Sequence, residues 1–202
     1  MILIVCAVAR ELGFLAPQPQ VEVLVTGVGP IEAAAQVSRA LALGRYDLVV
    51  NAGIAGALPG FAQIGDGVVV AEEILELELE TGEAIAWPDG LQTHDRVTSD
   101  LALTDRIVEL GFRALRGITV ARVTATDATG GRLAALGAQV ESMEGFAVLR
   151  AAEIAAVPAI EVRGISNRVG DRAKSGWDFE AGVVGLEAIM TAMLPLVTPL
   201  HG

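Results

Sequence analysis

Short apolar runs, rich in β-branched residues, recur along the chain and predict β-strands. Continuous runs of this kind are typical of strands covered on both faces. Leu75, Leu77 and Leu79 alternate strictly with glutamates, which predicts a further strand with one solvent-facing side at 75–80. The predicted buried strands are Ile2 to Val8, Val21 to Thr26, Asp47 to Asn51, 65–73, Gly117 to Thr124 and Ala159 to Ile165.

Helical patterns separate several of these strands. Gly29 followed by Pro30 is typical of a helix start, and Ser99 is a favourable N-cap for a second helix. A third helix follows Glu144, and residues 180–197 form the last. One face of the first helix carries Ile31, Ala34, Ala35, Ser38 and Leu41. The second helix carries Leu103, Ile107 and Leu110 and ends at Gly111, and the third has Ala147, Ala151, Ile154 and Ala155 facing inward. Strands and helices that alternate without a linker or repeat predict an α/β sheet in a single domain, residues 1–202.

Three segments carry no such pattern and are predicted to be irregular. NAGIAGALPG at 51–60 and TDATGG at 126–131 are predicted turns, and the glycines of the first permit close backbone approach to a ligand. Residues 81–98, with Trp87-Pro88 and Asp89-Gly90, form the longest irregular stretch. Long loops inside compact domains are often functional.

Composition narrows the class of protein and of ligand. A chain of 202 residues that is 52% hydrophobic and 19% charged is long enough for one well-buried core. Its surplus of apolar residues favours a homo-oligomer that hides part of them between subunits. The net charge of −11, with no cluster of Lys or Arg, argues against nucleic acid and against an anionic membrane surface as partners. A small-molecule ligand is expected.

Cysteine usage and the N-terminus favour a cytoplasmic protein. Cys6 is the single cysteine, so it forms no intramolecular disulfide, and it lies within an apolar run typical of the core. The run from Ile2 to Val8 lacks a basic segment and a cleavage site, and it is far shorter than the roughly 20 residues of a membrane span.

Acidic and amide residues recur where the predicted strands end. In a twisted α/β sheet several such ends converge on one cleft, which is where ligands bind. Each residue also has a structural interpretation: Glu11 and Glu144 suit the first turn of a helix, and Asn167 suits an Asx-turn or a cap. The strand-end groups are Glu11, Asn51 to Gly56, Thr124 to Asp127, Glu141 with Glu144, and Asn167 to Arg172.

Several familiar kinds of site are excluded by their missing motifs. GVGPIEAAA lacks the third glycine of GxGxxG, and neither GxxxxGK[ST] nor GxSxG occurs. His94 and His201 stand far apart, so no zinc-binding spacing is present. No metal and no organic cofactor is expected, which leaves carboxylates and an amide to carry the chemistry.

Six motifs follow one another over nearly the whole chain. They are AVARELGFL at 7–15, TGVGPIEAAA at 26–35, DLVVNAGIAGAL at 47–58, GDGVVVAEE at 65–73, VESMEGFAVL at 140–149 and VRGISNRVGD at 162–171. In this order they resemble the nucleoside phosphorylase and hydrolase superfamily, and within it the methylthioadenosine/S-adenosylhomocysteine nucleosidase-like branch. VESMEG, together with SNRVGDR followed by SGWDF at 175–179, is similar to the futalosine hydrolases of the alternative menaquinone pathway. The resemblance implies a twisted mixed central β-sheet flanked by α-helices and cleavage of a purine nucleoside.

The resemblance also implies a role for each site residue. N-glycosidic cleavage passes through an oxocarbenium-like ribosyl cation, so the site must hold a water, support the sugar and stabilise the leaving purine. Glu11 is implied to orient and activate the water, Glu144 to bind ribose hydroxyls and Met143 to pack on the sugar. Further substrate contacts are implied for Ile54, Ala55 and Gly56 in the glycine-rich turn and for Thr126 and Thr129 near the base.

Asn167 stands where the adenine-specific nucleosidases have an Asp. An ionised Asp only accepts hydrogen bonds, whereas an amide both donates and accepts. Asn167 can therefore donate to the O6 atom of a purine and accept from N7–H, which predicts a preference for hypoxanthine, a 6-oxopurine. A neutral amide cannot supply the N7 proton, and the sequence assigns no donor for it.

Arginines separate hydrolysis from phosphorolysis. Phosphorolytic relatives need an arginine-lined anion pocket, but the NAGIAGAL turn contains no Arg and Arg10 is the only nearby candidate, so hydrolysis is favoured. Arg172 or Arg168 is a candidate partner for the carboxylate of futalosine's benzoate-bearing tail, with Trp177 against the ring. A surface Arg and a core Trp are an equally open interpretation. His94, possibly supplied by a neighbouring subunit, is a weaker candidate.

Three hypotheses follow for the function. The first is hydrolysis of futalosine, or of a close purine nucleoside, to release hypoxanthine. The second keeps the fold and assigns cleavage of methylthioadenosine, S-adenosylhomocysteine or aminodeoxyfutalosine with release of adenine. The third is a non-catalytic nucleoside-binding protein, because Asn replaces Asp at position 167.

Overall fold

The computed structural model describes residues 1–77, 85–89, 91, 93–171, 173 and 176–198. Its strands are β1 (Ile2–Cys6), β2 (Val21–Val25), β3 (Leu48–Ala57), β4 (Gly67–Leu75), β5 (Arg96–Thr98), β6 (Arg113–Thr119), β7 (Val140–Ser142) and β8 (Ala159–Arg168). Its helices are α1 (Pro30–Leu43), α2 (Leu101–Glu109), α3 (Asp127–Ala135), α4 (Gly145–Ile154) and α5 (Phe179–Val197), with a short 3-10 turn at Ala9–Leu12.

All eight strands belong to one mixed sheet, which confirms the predicted α/β fold. β1 pairs in parallel with β2 on one side and with β3 on the other. β5 pairs antiparallel with residues 72–74, near the C-terminal end of β4. Between these ends the sheet closes on itself: β3 pairs with β8, β8 with β4, β4 with β6, β6 with β7, and β7 again with β3. Within this ring each of the five strands pairs with a neighbour on both sides over part of its length.

Two apolar layers cover the sheet. On one face, Ile4, Val50 and Val69 belong to a core cluster shared with Leu186, Ile189 and Met190 of α5 and Ile107 of α2. On the other face, Leu3, Val5 and Val49 pack with Ala33 and Val37 of α1 and Val148 and Leu149 of α4. Fully burying one such side chain stabilises the fold by about 1.5–3 kcal/mol. The packing of α5 also explains its apolar composition, which by length and hydropathy alone would suit a membrane span.

Several strand boundaries differ from the sequence predictions. β1 ends at Cys6, and β6 lies at Arg113–Thr119, about four residues earlier than predicted. β3 runs on to Ala57, so the NAGIAGA segment is strand and not a turn. β8 likewise continues to Arg168, which means that the polar residues after Ile165 are themselves part of a strand. Main-chain pairing within the closed ring therefore decides the backbone where composition suggested loops.

Two predicted strands also differ in their surroundings. β2 is an edge strand with Val23 and Val25 exposed, so it is not covered on both faces. The predicted strand at 75–80 is wrong at its start, because β4 ends at Leu75 and Glu76 and Leu77 are not in a strand. Positions 78–80 lie outside the described residues. β5 falls inside the stretch that was predicted to be irregular.

The helices show a similar mixture. α5 is confirmed, but α1 buries Ala33 and Val37 and leaves Ile31, Ala35 and Ser38 exposed. In α4, Ala147 and Ala151 are buried as predicted, whereas Ile154 and Ala155 are exposed.

Two helix starts were predicted wrongly. The cap of α2 is Asp100, whose carboxylate accepts from the Leu103 N–H at 2.8 Å, while the Ser99 hydroxyl donates to the Val70 carbonyl. The predicted polar turn at 126–131 is instead the start of α3, with Thr126 as its N-cap.

Candidate active site

A cavity of about 530 Å³ opens where β1, β3, β7 and β8 bring their polar ends together. All three predicted catalytic residues line it, namely Glu11, Glu144 and Asn167. Five predicted substrate-binding residues line it as well, namely Ile54, Ala55, Gly56, Met143 and Trp177. Ile54, Ala55 and Gly56 do so from strand β3 and not from a turn. Positions distant in the sequence therefore share one concave site.

Glu11 is fixed by backbone N–H groups. It lies in the 3-10 turn after β1, and its Oε2 accepts from the N–H groups of Ala7 at 3.1 Å and Val8 at 3.0 Å. Its Oε1 accepts from the N–H of Ile54 on β3 at 2.9 Å. Three donors hold this buried carboxylate in one orientation, with further lone pairs available to a water. That arrangement suits a general base.

The surroundings of Glu11 tune its acidity. Burial raises the pKa of the Glu11 carboxyl above its ordinary value, the N–H donors and the Arg163 guanidinium act against that rise, and the nearby Glu144 adds to it. The guanidinium lies close by: a Cβ on Gly53 would come within 2.5 Å of Arg163 Nη1 and 2.9 Å of Glu11 Oε1. Only glycine leaves room at this point. A base whose pKa moves from the acidic range toward neutrality accepts a proton more readily.

Glu144 approaches the cavity from the start of α4. Its Oε1 accepts from the N–H of Gly29 at 2.8 Å, and Gly29 is the N-cap of α1. No hydrogen bond within the described residues involves Oε2, so this oxygen is available to a ligand. A second buried carboxylate, Glu141 on β7, also lines the cavity, but Thr124 donates to it from both its N–H and its hydroxyl. Of the two, Glu144 has more capacity to bind a diol.

The Asn167 amide has an orientation set by its neighbours. The Ser166 hydroxyl donates to Oδ1 at 3.0 Å, and Nδ2 donates to the carbonyl of Arg168 at 3.2 Å. An amide has two N–H donors and two oxygen lone pairs. One donor and one acceptor position therefore remain for a ligand, on a side chain that lines the cavity.

The outer part of the cavity, which we call the mouth, is formed by one cationic side chain and four apolar ones. These residues are Arg10, Val28, Val123, Trp177 and Phe179. Trp177 and Phe179 meet edge to face with ring centroids 6.3 Å apart. The Arg10 guanidinium lies 4.8 Å from the centre of the Phe179 ring and pairs with Glu180. An apolar wall beside a cation suits an aromatic acid.

Comparisons with known proteins show the family of this chain. The model of the phosphorylase superfamily matches residues 5–193. The futalosine hydrolase of Acidothermus cellulolyticus is 35% identical over 93% of this chain and 84% of its own length. The chain belongs to the phosphorylase superfamily, and within it to the futalosine hydrolases. As a member of that group it is an N-glycosidic bond hydrolase.

Solved structures show the same fold at lower identity. The methylthioadenosine/S-adenosylhomocysteine nucleosidase of Neisseria meningitidis, in complex with methylthio-immucillin-A, has a TM-score of 0.79 at 16% identity and covers 97% of this chain and 99% of its own. The futalosine hydrolase of Helicobacter pylori also gives 0.79 at 16% identity, with 97% of each chain covered. The sheet and helices described above are thus the superfamily fold.

The structure does not bring every predicted site residue to the cavity of this hydrolase. Thr126 and Thr129 bond to each other at the start of α3, where the Thr126 hydroxyl accepts from the Thr129 N–H at 3.1 Å, and neither lines the cavity. Arg168 contributes its backbone carbonyl to Asn167, and its side chain does not line the cavity. His94 is exposed and also lies outside the lining. Arg172 lies outside the described residues.

Sequence reasoning missed the charged residues behind the cavity. Arg163 and Glu161 on β8 are buried, and Arg163 Nε donates to Glu161 Oε1 at 2.7 Å. Glu73 on β4 is buried beside them. A signal was available in the EVR segment at 161–163, because two opposite charges two residues apart in a strand point to the same face. In an otherwise apolar strand, such a pair indicates a buried ion pair.

Proposed function

We propose that this hydrolase acts on futalosine and releases hypoxanthine and dehypoxanthinylfutalosine, in the cytoplasm, as a step of the alternative menaquinone pathway. The observation that carries the proposal is the meeting of Glu11, Glu144 and Asn167 around one cavity. The identity to curated futalosine hydrolases supports the choice of substrate. The net charge of −11 fits a small-molecule ligand better than a polyanion.

The proposed chemistry assigns water activation to Glu11 and sugar binding to Glu144. Glu11 takes a proton from a water that attacks C1′, and the three N–H donors keep the carboxylate aimed while it does so. Glu144 accepts hydrogen bonds from ribose hydroxyls, and its negative charge stabilises the developing ribosyl cation. Met143, next to Glu144 in the lining, packs on the sugar.

Asn167 is proposed to select the base. Its remaining N–H donates to O6 of hypoxanthine, and its remaining oxygen lone pair accepts from N7–H. The existing bond to the Arg168 carbonyl supports this orientation, because a flipped amide would place its oxygen against that carbonyl oxygen. The proton on N7 comes from solvent in this scheme.

The mouth is proposed to hold the benzoate-bearing tail. Trp177 lines the cavity and offers an apolar face for the ring. Of the residues that line the cavity within the described part of the chain, Arg10 alone carries a positive charge, so it is the proposed partner of the tail carboxylate. Arg172 stays a prediction from the sequence. The presence of a single arginine in this lining also supports hydrolysis over phosphorolysis. A phosphate pocket needs several arginines, whereas Arg10 is exposed and already pairs with Glu180.

A second copy of the chain is proposed to cover part of the same side of the molecule. Val23 and Val25 on edge strand β2, Val28 after it and Ile31 at the start of α1 are all exposed. Val28 also lines the cavity, so this apolar surface continues into the mouth. Contiguous exposed apolar residues are typical of subunit interfaces.

A panel of nucleosides tests the function directly. Purified protein is incubated with futalosine, inosine, methylthioadenosine and S-adenosylhomocysteine in buffer free of phosphate, and released bases are separated by chromatography. Release of hypoxanthine from futalosine, independent of added phosphate, supports the proposal. Release of adenine with no action on futalosine would establish the adenine-specific alternative. Tight binding of 6-oxopurines without release of any base would indicate a binding protein.

A further inference from the structure

A cluster of buried charges lies behind the cavity and takes no part in lining it. Glu73 and Glu161 are 0% exposed and Arg163 is 2% exposed. Register places Glu161 beside Val70 of β4, and Glu73 beside Gly117 of β6, so the cluster sits within the closed ring of strands. The Thr119 hydroxyl donates to Glu73 Oε2 at 2.8 Å, and Arg163 Nε donates to Glu161 Oε1 at 2.7 Å.

The charges in this cluster do not balance if every carboxyl is ionised. Arg163 interacts with Glu161, Glu144 and Glu11, and Glu73 interacts with Arg163 and Glu161. One guanidinium would then face four carboxylates. Isolated buried charges are costly, so such a group takes up a proton instead. Of the four, Glu73 has no backbone donor or direct bond to Arg163 among the described hydrogen bonds, and its assigned donor is a neutral hydroxyl.

Two oxygens in the cluster identify where that proton lies. Treated as carboxylates, Glu73 Oε1 and Glu161 Oε2 both lack a hydrogen-bond partner in the described structure. The two groups meet over the first residue of α4: a Cβ on Gly145 would collide with Glu73 Oε1 and lie 2.7 Å from Glu161 Oε1. Two carboxylate oxygens cannot bond to each other, but a protonated Glu73 becomes a donor to Glu161. That proton would give Glu73 Oε1 a hydrogen-bond partner in Glu161.

We propose that Glu73 stays protonated and donates to Glu161, and that the pair acts as a positioning device that holds the Arg163 guanidinium beside Glu11. Neither residue touches the cavity, so both act through Arg163. Burial and then the charge of Glu161 are the main causes that raise the pKa of Glu73. Thr119 and Arg163 lower the pKa by less, and the hydrogen bond to Glu161 adds the smallest rise. Burial disfavours the charged form of Arg163, but the carboxylates around it raise its pKa overall, so it remains a cation.

The proposal predicts how activity changes at alkaline pH. When Glu73 loses its proton, a second anion appears beside Glu161, the hydrogen bond between them is lost and Arg163 is drawn away from Glu11. Turnover should then fall as pH rises through the raised pKa of Glu73. The expected fall in turnover rests on the proposed hydrolysis of futalosine, whereas the protonation state of Glu73 does not.

Glu73→Gln is the decisive variant, because its amide can donate to Glu161 at any pH. Its turnover near neutral pH should match that of the wild type, and its alkaline limb should move upward by about one pH unit or more. Glu161→Gln removes the anion that pairs with Arg163 and should lower turnover by about tenfold to a hundredfold through misplacement of the guanidinium. Glu72→Gln is the matched control on the same strand, since Glu72 pairs with Arg96 at the surface, and it should change neither readout.

Infrared spectroscopy tests the proton without any substrate. At about pH 8 the wild type should show the C=O stretch of a protonated carboxyl, which should persist in Glu11→Gln and vanish in Glu73→Gln. A wild-type spectrum without such a band overturns the proposal, even if Glu73→Gln does not fold. An alkaline limb that is identical in Glu73→Gln and the wild type overturns the positioning role. If futalosine is not hydrolysed but the C=O band is present in the wild type and lost in Glu73→Gln, the proposed function is wrong. The proposal that Glu73 is protonated is then still supported.

Discussion

The inner part of the cavity and its mouth differ in how firmly their side chains are held. Glu11 and Glu144 are only 3% and 6% exposed, and backbone N–H groups of other elements bond to both. At the mouth the Arg10 side chain is 73% exposed and Trp177 is 58% exposed. The groups assigned to bond cleavage are thus pre-organised, while the groups assigned to the tail are open to solvent.

This difference separates catalysis from selectivity. Groups that stabilise a transition state must be in place before the substrate arrives, because reorganisation would consume the stabilisation they provide. An open mouth gains its contacts only when a substrate tail or a neighbouring subunit covers it. Substitutions of Glu11 or Glu144 should therefore lower turnover for every nucleoside, whereas substitutions at the mouth should affect only substrates that carry the tail.

Glu11→Gln should give the largest effect. The amide keeps the shape of the side chain but cannot accept the proton of the attacking water, so we expect turnover to fall by about two orders of magnitude or more. Binding of futalosine should change little. Single-turnover kinetics and an equilibrium binding measurement on the same variant separate the two quantities.

Glu141→Gln provides the comparison for this result. Glu141 is also a buried carboxylate in the cavity, but its two oxygens already accept hydrogen bonds from Thr124. A much smaller loss of turnover is therefore expected. Equal losses in the two variants would mean that any change of charge in the cavity is damaging and would remove the special role of Glu11.

Asn167→Asp should change which base is released. The substitution replaces the N–H that is proposed to donate to O6 by an acceptor, which suits a 6-amino group. A buried polar pair that is lost or gained changes the free energy by about 1–3 kcal/mol, so the ratio of hypoxanthine to adenine release should shift by about tenfold to a hundredfold. Competition between futalosine and its 6-amino counterpart in one reaction measures this ratio. An unchanged ratio would contradict the assignment of Asn167 as the base-selecting residue.

Local sequence patterns place polar residues at strand ends, and Glu11 and Asn167 from this set line the cavity. Glu11 lies three residues after the predicted end of one apolar strand, and Asn167 lies two residues after the predicted end of another. Polar groups at such places converge by sheet geometry, and the resemblance to known nucleosidases added their roles. The ends of β3 and β8 were predicted less accurately than these residues. The ring of five strands extends β3 and β8 through the polar and glycine-rich segments, and no local signal reveals that closure.

Tertiary structure also explains what the sequence did not show. Glu72 and Glu73 are neighbours of the same type, yet Glu72 pairs with Arg96 at the surface and Glu73 is fully buried. A strand alternates its faces, but only the closed ring decides that the second face is buried. Helix α3 was missed because Gly130 and Gly131 lie in its first half and have low helix propensity.

Arg10→Ala tests the mouth and should have a moderate effect. An exposed ion pair contributes little, so kcat/KM for futalosine should fall by about threefold to tenfold. Inosine has the same base and sugar without the tail, so the rate at which it is hydrolysed should not change. Arg10→Lys keeps the charge but not the planar fork, and an intermediate loss is expected. An equal loss with both substrates would show that Arg10 acts on its neighbour Glu11 and not on the tail.

Thr126→Ala should have the smallest effect on activity and a measurable one on stability. As the N-cap of α3, Thr126 accepts from the Thr129 N–H, and loss of such a cap costs about 1 kcal/mol. For a chain of this size that corresponds to a fall in Tm of about 2–4 °C. Because Thr126 does not line the cavity, kcat/KM for futalosine should not change, and Thr126→Ser should restore Tm. A fall in kcat/KM with an unchanged Tm would instead return Thr126 to the base contact that the sequence predicts, and would require α3 to move toward the cavity when substrate binds.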